Sequence, residues 1–284
     1  MNLGKNVKRI LFLLILCVFS IVGINSKPAV AASSWEPYIG QISLFAFGYE
    51  PRGWAECKGQ LISVNQNQAL FSLIGTKFGG DGTTNFKLPD LQNASPIPNA
   101  KYYIAMRGIY PQRDGGGSHA TIGSIALFPY DFAPGDWASC DGTIMNIGSN
   151  TVLFNLLDVN YGGDGSTTFG IPNLNNASPI NNNIKYCICV YGIYPSRDYG
   201  PASLELIGSI DLYAFKFNSD ASDVAECKGQ TIQIANNEIL FSLIETTYGG
   251  NGSSSFGVPD LRGAVPSPDF GYYISMNGIY PTPQ

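Results

Sequence analysis

Apolar and polar positions along this chain follow one order, and that order runs three times. Each run opens on Ile39-Gly40-Gln41-Ile42-Ser43-Leu44-Phe45 or its counterparts, Ile122 to Phe128 and Ile207 to Tyr213. Apolar side chains alternate at Ile42 and Leu44, which predicts a half-buried strand. Trp54-Ala55-Glu56-Cys57-Lys58-Gly59 and Trp137-Ala138-Ser139-Cys140-Asp141-Gly142 come next; the third run keeps Cys227-Lys228-Gly229 but has Val224 where the Trp stood. The Lys-Gly or Asp-Gly pair predicts a tight turn into a short strand such as Leu61-Ile62-Ser63-Val64. The spacing then becomes helical. Leu70-Phe71-x-Leu73-Ile74, Leu153-Phe154-x-Leu156-Leu157 and Leu240-Phe241-x-Leu243-Ile244 each bury one face of a short helix. Asn67, Asn150 and Asn237 precede these runs and are expected to be N-caps, since an Asn oxygen can accept a free first-turn N–H.

Each helix must stop before a glycine pair that frees the backbone. Gly79-Gly80-Asp81-Gly82 returns as Gly162-Gly163-Asp164-Gly165 and as Gly249-Gly250-Asn251-Gly252, at offsets of 83 and 87 residues. The loop leads into Pro89-Asp90-Leu91, Pro172-Asn173-Leu174 and Pro259-Asp260-Leu261. Proline donates no hydrogen bond, so these read as edge or irregular extended segments. Each run closes on residues such as Tyr102-Tyr103-Ile104-Ala105-Met106 and on Gly-Ile-Tyr-Pro at 108–111, 192–195 and 278–281, all of which favour strands. A self-similar chain is read as copies of one unit. The expected units are 39–114, 122–198 and 207–284, joined by a Gly-rich linker at 115–121 and a second linker at 199–206. Linkers of this length permit the units to pack together without forcing it.

The composition suits a β-rich extracellular protein better than a cytosolic helical one. Charged residues make up 13% of its 284 residues, about half the usual share, so solubility rests on Gly, Asn, Ser and Thr. Residues 1–31 read as a signal peptide: Lys5, Lys8 and Arg9, an apolar run from Ile10 to Ile24, and the small-x-small site Ala29-Val30-Ala31. The run is short for a membrane span, and Ser20 and Gly23 interrupt it; the alternative is an uncleaved anchor. Cleavage before Ala32 removes Lys5, Lys8, Arg9 and Lys27 and no acid, which takes the formal charge from −5 to −9. Such a chain has no basic cluster for nucleic acid or for anionic lipid, so neither nucleic acid nor membrane is an expected partner of the mature form. Five cysteines remain. Cys57, Cys140 and Cys227 fall at one position per repeat and read as small buried packing residues. Cys187 and Cys189 are particular to the second repeat and share a strand face; no disulfide framework follows from an odd count.

Candidate chemistry is sparse. His119 is the single histidine and falls in a Gly-rich linker, a poor place to hold catalytic geometry. One histidine leaves no His-metal cluster within the chain, and no metal or cofactor is expected. The Gly-Gly-Asp-Gly loop lacks the Lys-Ser/Thr of a phosphate loop. It also has too few oxygen ligands for calcium, since Asn251 replaces the acid in the third copy. It reads as a turn whose Asp or Asn tolerates left-handed geometry. Asp90, Asn173 and Asp260 read as turn caps. Aromatics make up 12% of the chain; most are expected in strand cores, while exposed ones could stack on sugar rings.

The ordered set Ile-Gly-x-Ile, Trp-Ala-x-Cys-x-Gly, Leu-Phe-x-Leu-Ile, Tyr-Gly-Gly-Asp-Gly and Pro-Asp-Leu-Arg-Gly resembles the phage tail-collar domain, a module shared with the bacterial microcystin-dependent proteins. The third repeat carries the closing motif best, at Pro259-Asp260-Leu261-Arg262-Gly263. The first two have Gln92-Asn93 and Asn175-Asn176 in place of Arg-Gly. The resemblance implies a mostly β, α+β fold with one short helix per repeat, in three tandem tail-collar-like modules. Because such modules form trimers in phage fibres, it further implies an intramolecular pseudo-trimer or a string of modules. With the export signal, it implies a secreted, non-enzymatic protein, extracellular or on the cell surface. Its modules would attach to a surface polysaccharide or receptor. The alternative is a structural subunit of an extracellular fibre or coat that self-associates. A hydrolase is the third and least supported reading.

Overall fold

The computed structural model describes residues 36–113, 119–177, 183–195, 205–217 and 223–284. The expected signal peptide and most of both expected linkers, at 115–118 and 199–204, lie outside the described residues. The three repeats fall within one unit, Trp35–Gln284.

Each repeat contributes the same six elements. The first supplies β1 (Ile42–Phe45), β2 (Trp54–Glu56), β3 (Leu61–Ser63), α1 (Gln68–Ile74), β4 (Asn85–Lys87) and β5 (Lys101–Ala105). The second supplies β6 (Ser124–Phe128), β7 (Trp137–Ser139), β8 (Ile144–Asn146), α2 (Thr151–Leu157), β9 (Thr168–Gly170) and β10 (Lys185–Cys189). The third supplies β11 (Ser209–Tyr213), β12 (Val224–Glu226), β13 (Thr231–Gln233), α3 (Glu238–Ile244), β14 (Ser255–Gly257) and β15 (Gly271–Ser275). The protein is mostly β with one short helix per repeat, as the pattern predicts. Within the first repeat β5 lies between β1 and β2, while β3 and β4 form a separate pair. The other two repeats copy both ladders.

The opening strands join the repeats into a closed ring. Leu44 of β1 pairs with Ile210 of β11, Leu212 of β11 with Ile125 of β6, and Leu127 of β6 with Ile42 of β1. Every one of these pairings is antiparallel. Three directions cannot be mutually opposed, so each strand gives one end to each neighbour, and the strands cross like the sides of a triangle. The ring is an intramolecular pseudo-trimer.

Several contacts reinforce each junction. Gly40, Gly123 and Gly208 have positive φ (86°, 82° and 84°), and a Cβ there would meet the ring of Tyr130, Phe215 or Phe47 from the next repeat at 2.7–3.0 Å. The hydroxyl of Tyr248 donates to the carbonyl of Ala46 (2.9 Å), and that of Tyr161 to Ala214 (2.8 Å). The counterpart at the remaining junction is Phe78, which has no hydroxyl. There the Lys77 ammonium takes over, donating to the Pro129 carbonyl at 3.3 Å and to Asp131 at 2.7 Å. The chain end closes the ring as well. The Arg52 N–H donates to Thr282 (2.8 Å), and the equivalent Gly135 N–H donates to Gln112 (2.8 Å).

Three expectations are corrected. The opening strand is not half-buried: all four residues of β1 are buried, because Phe45, on the face opposite Leu44, packs beneath Trp54 and Tyr103. The Gly-Ile-Tyr-Pro motifs are not strands; each makes a single parallel bridge, at Ile109, Ile193 or Ile279. The three asparagines stand at the N-cap positions but make no side-chain cap. Their Nδ2 groups donate backward, to Ser63, Asn146 and Gln233, at 3.0 Å each. The tight turn before each helix holds that carbonyl four residues back, within reach of the side chain, and the amide satisfies it instead.

The core is aromatic. Phe45 meets Trp54 edge-on at 5.1 Å, and Phe128 meets Trp137 at 5.3 Å. In the third repeat, where Val224 replaces the indole, Phe217 makes the edge contact with Tyr213 at 4.9 Å. The fold keeps the contact by recruiting a residue from another loop.

Candidate binding face

The repeated motifs are built as turns. The Asp81 carboxylate accepts the N–H groups of Thr83, Thr84 and Asn85 (2.7–3.0 Å) and the Thr84 hydroxyl (2.6 Å). Asp164 accepts from Ser166, Thr167 and Thr168 in the same way (2.7–2.8 Å). The Thr84 hydroxyl foremost, and the backbone N–H of Thr167 foremost, hold these two carboxyls well below the usual range. In the third loop the Asn251 oxygen accepts the same three N–H groups, from Ser253, Ser254 and Ser255 (2.9–3.0 Å). A neutral amide does the same work, so the loop needs an acceptor and no charge. Gly80, Gly163 and Gly250 explain the second glycine: a Cβ there would lie 2.3–2.4 Å from the Cα of Phe86, Phe169 or Phe256. Gly79, Gly162 and Gly249 and the later Gly82, Gly165 and Gly252 also have positive φ.

The proline motifs are turns too. Asp90, Asn173 and Asp260 accept the N–H two residues on (3.2–3.3 Å), following Pro89, Pro172 and Pro259. Asp260 additionally holds Arg262 at 2.9 and 2.5 Å, and that guanidinium keeps its carboxyl down at about 2. The cysteines Cys57, Cys140, Cys187, Cys189 and Cys227 are buried, and no disulfide joins them. Burial pushes the thiols of Cys57, Cys140 and Cys227 well above their ordinary value, and that of Cys187 to about 12, so they remain protonated and unreactive. Trp54 and Trp137 are buried and present no stacking surface. His119 is exposed, and among the described residues no three His, Cys, Asp or Glu side chains converge as metal ligands.

These turns wall three equivalent clefts, one per repeat, of about 510, 450 and 530 Å³. Each lies between the cysteine turn and the proline turn, at Cys57 and Leu91, Cys140 and Leu174, and Cys227 and Leu261. Each also includes a tyrosine from the fifth strand: Tyr102, Tyr186 or Tyr272. The same three tyrosines line an axial pocket of about 40 Å³ inside the strand triangle, so the clefts are grouped around the axis. Burial raises all three phenols, Tyr186 to about 12, and the neighbouring phenols raise Tyr102 and Tyr272 further. They are neutral hydrogen-bonding groups at any physiological pH.

Sequence reasoning did not find the tyrosines of the Gly-Ile-Tyr-Pro motifs. Tyr110, Tyr194 and Tyr280 are 47%, 53% and 48% exposed, at one position per repeat. The available signal was the proline that follows each one, which withholds an N–H and ends pairing there.

No curated protein and no solved structure matches the chain. The family described as the phage tail collar domain matches at residues 40–96, 123–179 and 208–266, which together cover more than half of the chain. These segments contain the opening strand, the cysteine turn, the helix, the glycine loop and the proline turn of each repeat. The chain belongs to the phage tail collar family, a family of structural tail-fibre modules, and carries three copies of its domain in tandem.

Proposed function

We propose that the protein is an exported attachment protein that engages a surface polysaccharide or receptor. The observation that carries this reading is the display of Tyr110, Tyr194 and Tyr280 at equivalent, half-exposed positions. A phenol ring presents an apolar face for a sugar and a hydroxyl for hydrogen bonding. Three such rings on one closed ring of repeats give a multivalent binder, in which weak single contacts add through effective concentration. The signal-like residues 1–31 support export, and the family supports a structural, non-enzymatic role. Among the described residues no helix is long and apolar enough to cross a membrane.

The test is binding of the labelled protein to a panel of glycans and cell-wall fractions, with mass followed by light scattering. Saturable binding that falls when all three tyrosines are replaced by alanine is the expected result. Absence of binding to every fraction would remove the attachment reading.

The second reading, a fibre or coat subunit, is favoured by the exposed apolar side chains Leu61 (55%), Ile144 (53%) and Ile239 (53%). Its signature is a mass that grows with concentration. A constant monomer mass at high concentration would count against it.

A further inference from the structure

The three clefts have the same walls but different charge. At one register position the first cleft has Lys101, the second Lys185 and the third Gly271. Lys101 is engaged by Glu56 at 3.1 Å, and Lys185 donates to the Asp131 carbonyl at 3.2 Å. Gly271 brings no side chain, and the exposed Lys216 lines the third cleft instead. Arg262 stands there in place of Gln92 and Asn175 of the other clefts. Asp260 engages Nε and one terminal nitrogen of that guanidinium. A guanidinium carries five N–H donors, so part of its fork is left for a ligand. The one acid lining this cleft, Glu226, is countered by Lys228 at 3.4 Å. Val265, Pro266 and Phe270 give the cleft an apolar wall beside these cations.

We propose that the third cleft binds a carboxylated sugar, a uronic acid residue of a surface polysaccharide, while the other two take neutral sugars. The carboxylate is held between Lys216 and Arg262, because a planar guanidinium matches a planar carboxylate and an ammonium adds a point charge. The apolar face of the sugar ring lies on Val265 and Pro266, with Tyr272 lining the same cleft. A single carboxylate suits this chain better than a dense polyanion, which its net negative charge would repel. This assignment rests on the attachment reading and adds a ligand class to it.

The experiment titrates galacturonate oligosaccharides and neutral galactose oligosaccharides against the purified protein, K216Q and R262Q. Circular dichroism and melting temperature report whether each variant folds. Galacturonate is expected to bind more tightly than galactose and to weaken with salt. K216Q is expected to lose roughly tenfold in galacturonate affinity and to keep its affinity for galactose. R262Q is expected to follow the same pattern. Galacturonate binding no tighter than galactose, or unchanged in K216Q, would overturn the assignment. If galactose still binds saturably in that case, the attachment reading survives alone; if neither sugar nor any wall fraction binds, both fail.

Discussion

The Tyr248 hydroxyl donates to the Ala46 carbonyl at 2.9 Å, tying the third repeat to the first across 202 residues of chain. It is one of three equivalent junction contacts, and the repeats have solved the same problem twice with a phenol and once with the lysine beside a phenylalanine. The ring therefore closes without three identical interfaces.

Replacing Tyr248 by Phe removes one partly buried hydrogen bond, worth about 0.5–1.5 kcal/mol net. Y161F is expected to cost a similar amount. Lys77→Met deletes the substitute contact and should lower the melting temperature comparably. Unchanged denaturant midpoints in all three variants would show that the junction polar contacts do not contribute.

Phe217 and Val224 together occupy what a Trp occupies elsewhere. F217A should cost about 3–5 kcal/mol, as for other buried rings. V224W alone should destabilise by about 1–3 kcal/mol through overpacking. The double variant should recover much of the loss, because the indole refills the space. A cycle measured by urea denaturation with purely additive effects would refute this exchange.

The helices end on residues with positive φ: Gly75 (54°), Asp158 (52°) and Glu245 (46°). A side chain there is strained, and a Cβ at Gly75 would meet nothing, so the strain lies in the backbone alone. Glu245→Gly is expected to stabilise by about 1 kcal/mol. A lower melting temperature for this variant would contradict the strain argument.

The third repeat sets a buried acid, Glu205, beside a partly buried one, Asp211. Glu205 is 7% exposed and accepts the Ser275 hydroxyl at 3.2 Å. Asp211 accepts the Ser209 hydroxyl at 3.0 Å and hydrogen-bonds Glu205. Burial raises the Asp211 carboxyl above its ordinary 3.8. A raised carboxyl gives stability that is complete below the unfolded value and is lost as pH rises through the folded one. The melting temperature should thus fall as pH rises past that point, and Asp211→Asn should flatten the dependence. An identical pH profile in wild type and D211N would dismiss the pair as its source.

Much of each repeat was legible because its signals are local. The helix face of Leu70 and Ile74, the glycine loop and the buried Cys57 depend on spacing and on residues a few positions away. The loop is a turn as expected, and Asn251 replaces Asp164 and keeps every N–H bond to it. The left-handed geometry expected of Asp81, Asp164 and Asn251 falls instead on the glycines on either side, because the acid or amide serves as the acceptor. The asparagine caps failed because an Asn side chain can turn toward either of two backbone partners, and the choice depends on the turn before the helix. Asn150 accordingly bonds Asn146 rather than its own first turn. The exposed tyrosines were not legible, since exposure depends on what covers a residue and the covering comes from distant chain.

The sequence by itself determined that there are three copies, that each is mostly β with one short helix, and which residues make its turns. Repetition and local stereochemistry suffice for that. Tertiary structure decided that the copies close into one ring, that Trp54 and Trp137 are inside and Tyr110, Tyr194 and Tyr280 outside, and that one cleft gathers Lys216 and Arg262. Those outcomes rest on contacts such as Leu44 with Ile210 and Leu212 with Ile125, between residues far apart in the chain. No spacing rule reaches that far, because a short linker permits two repeats to meet but does not choose the surfaces by which they do.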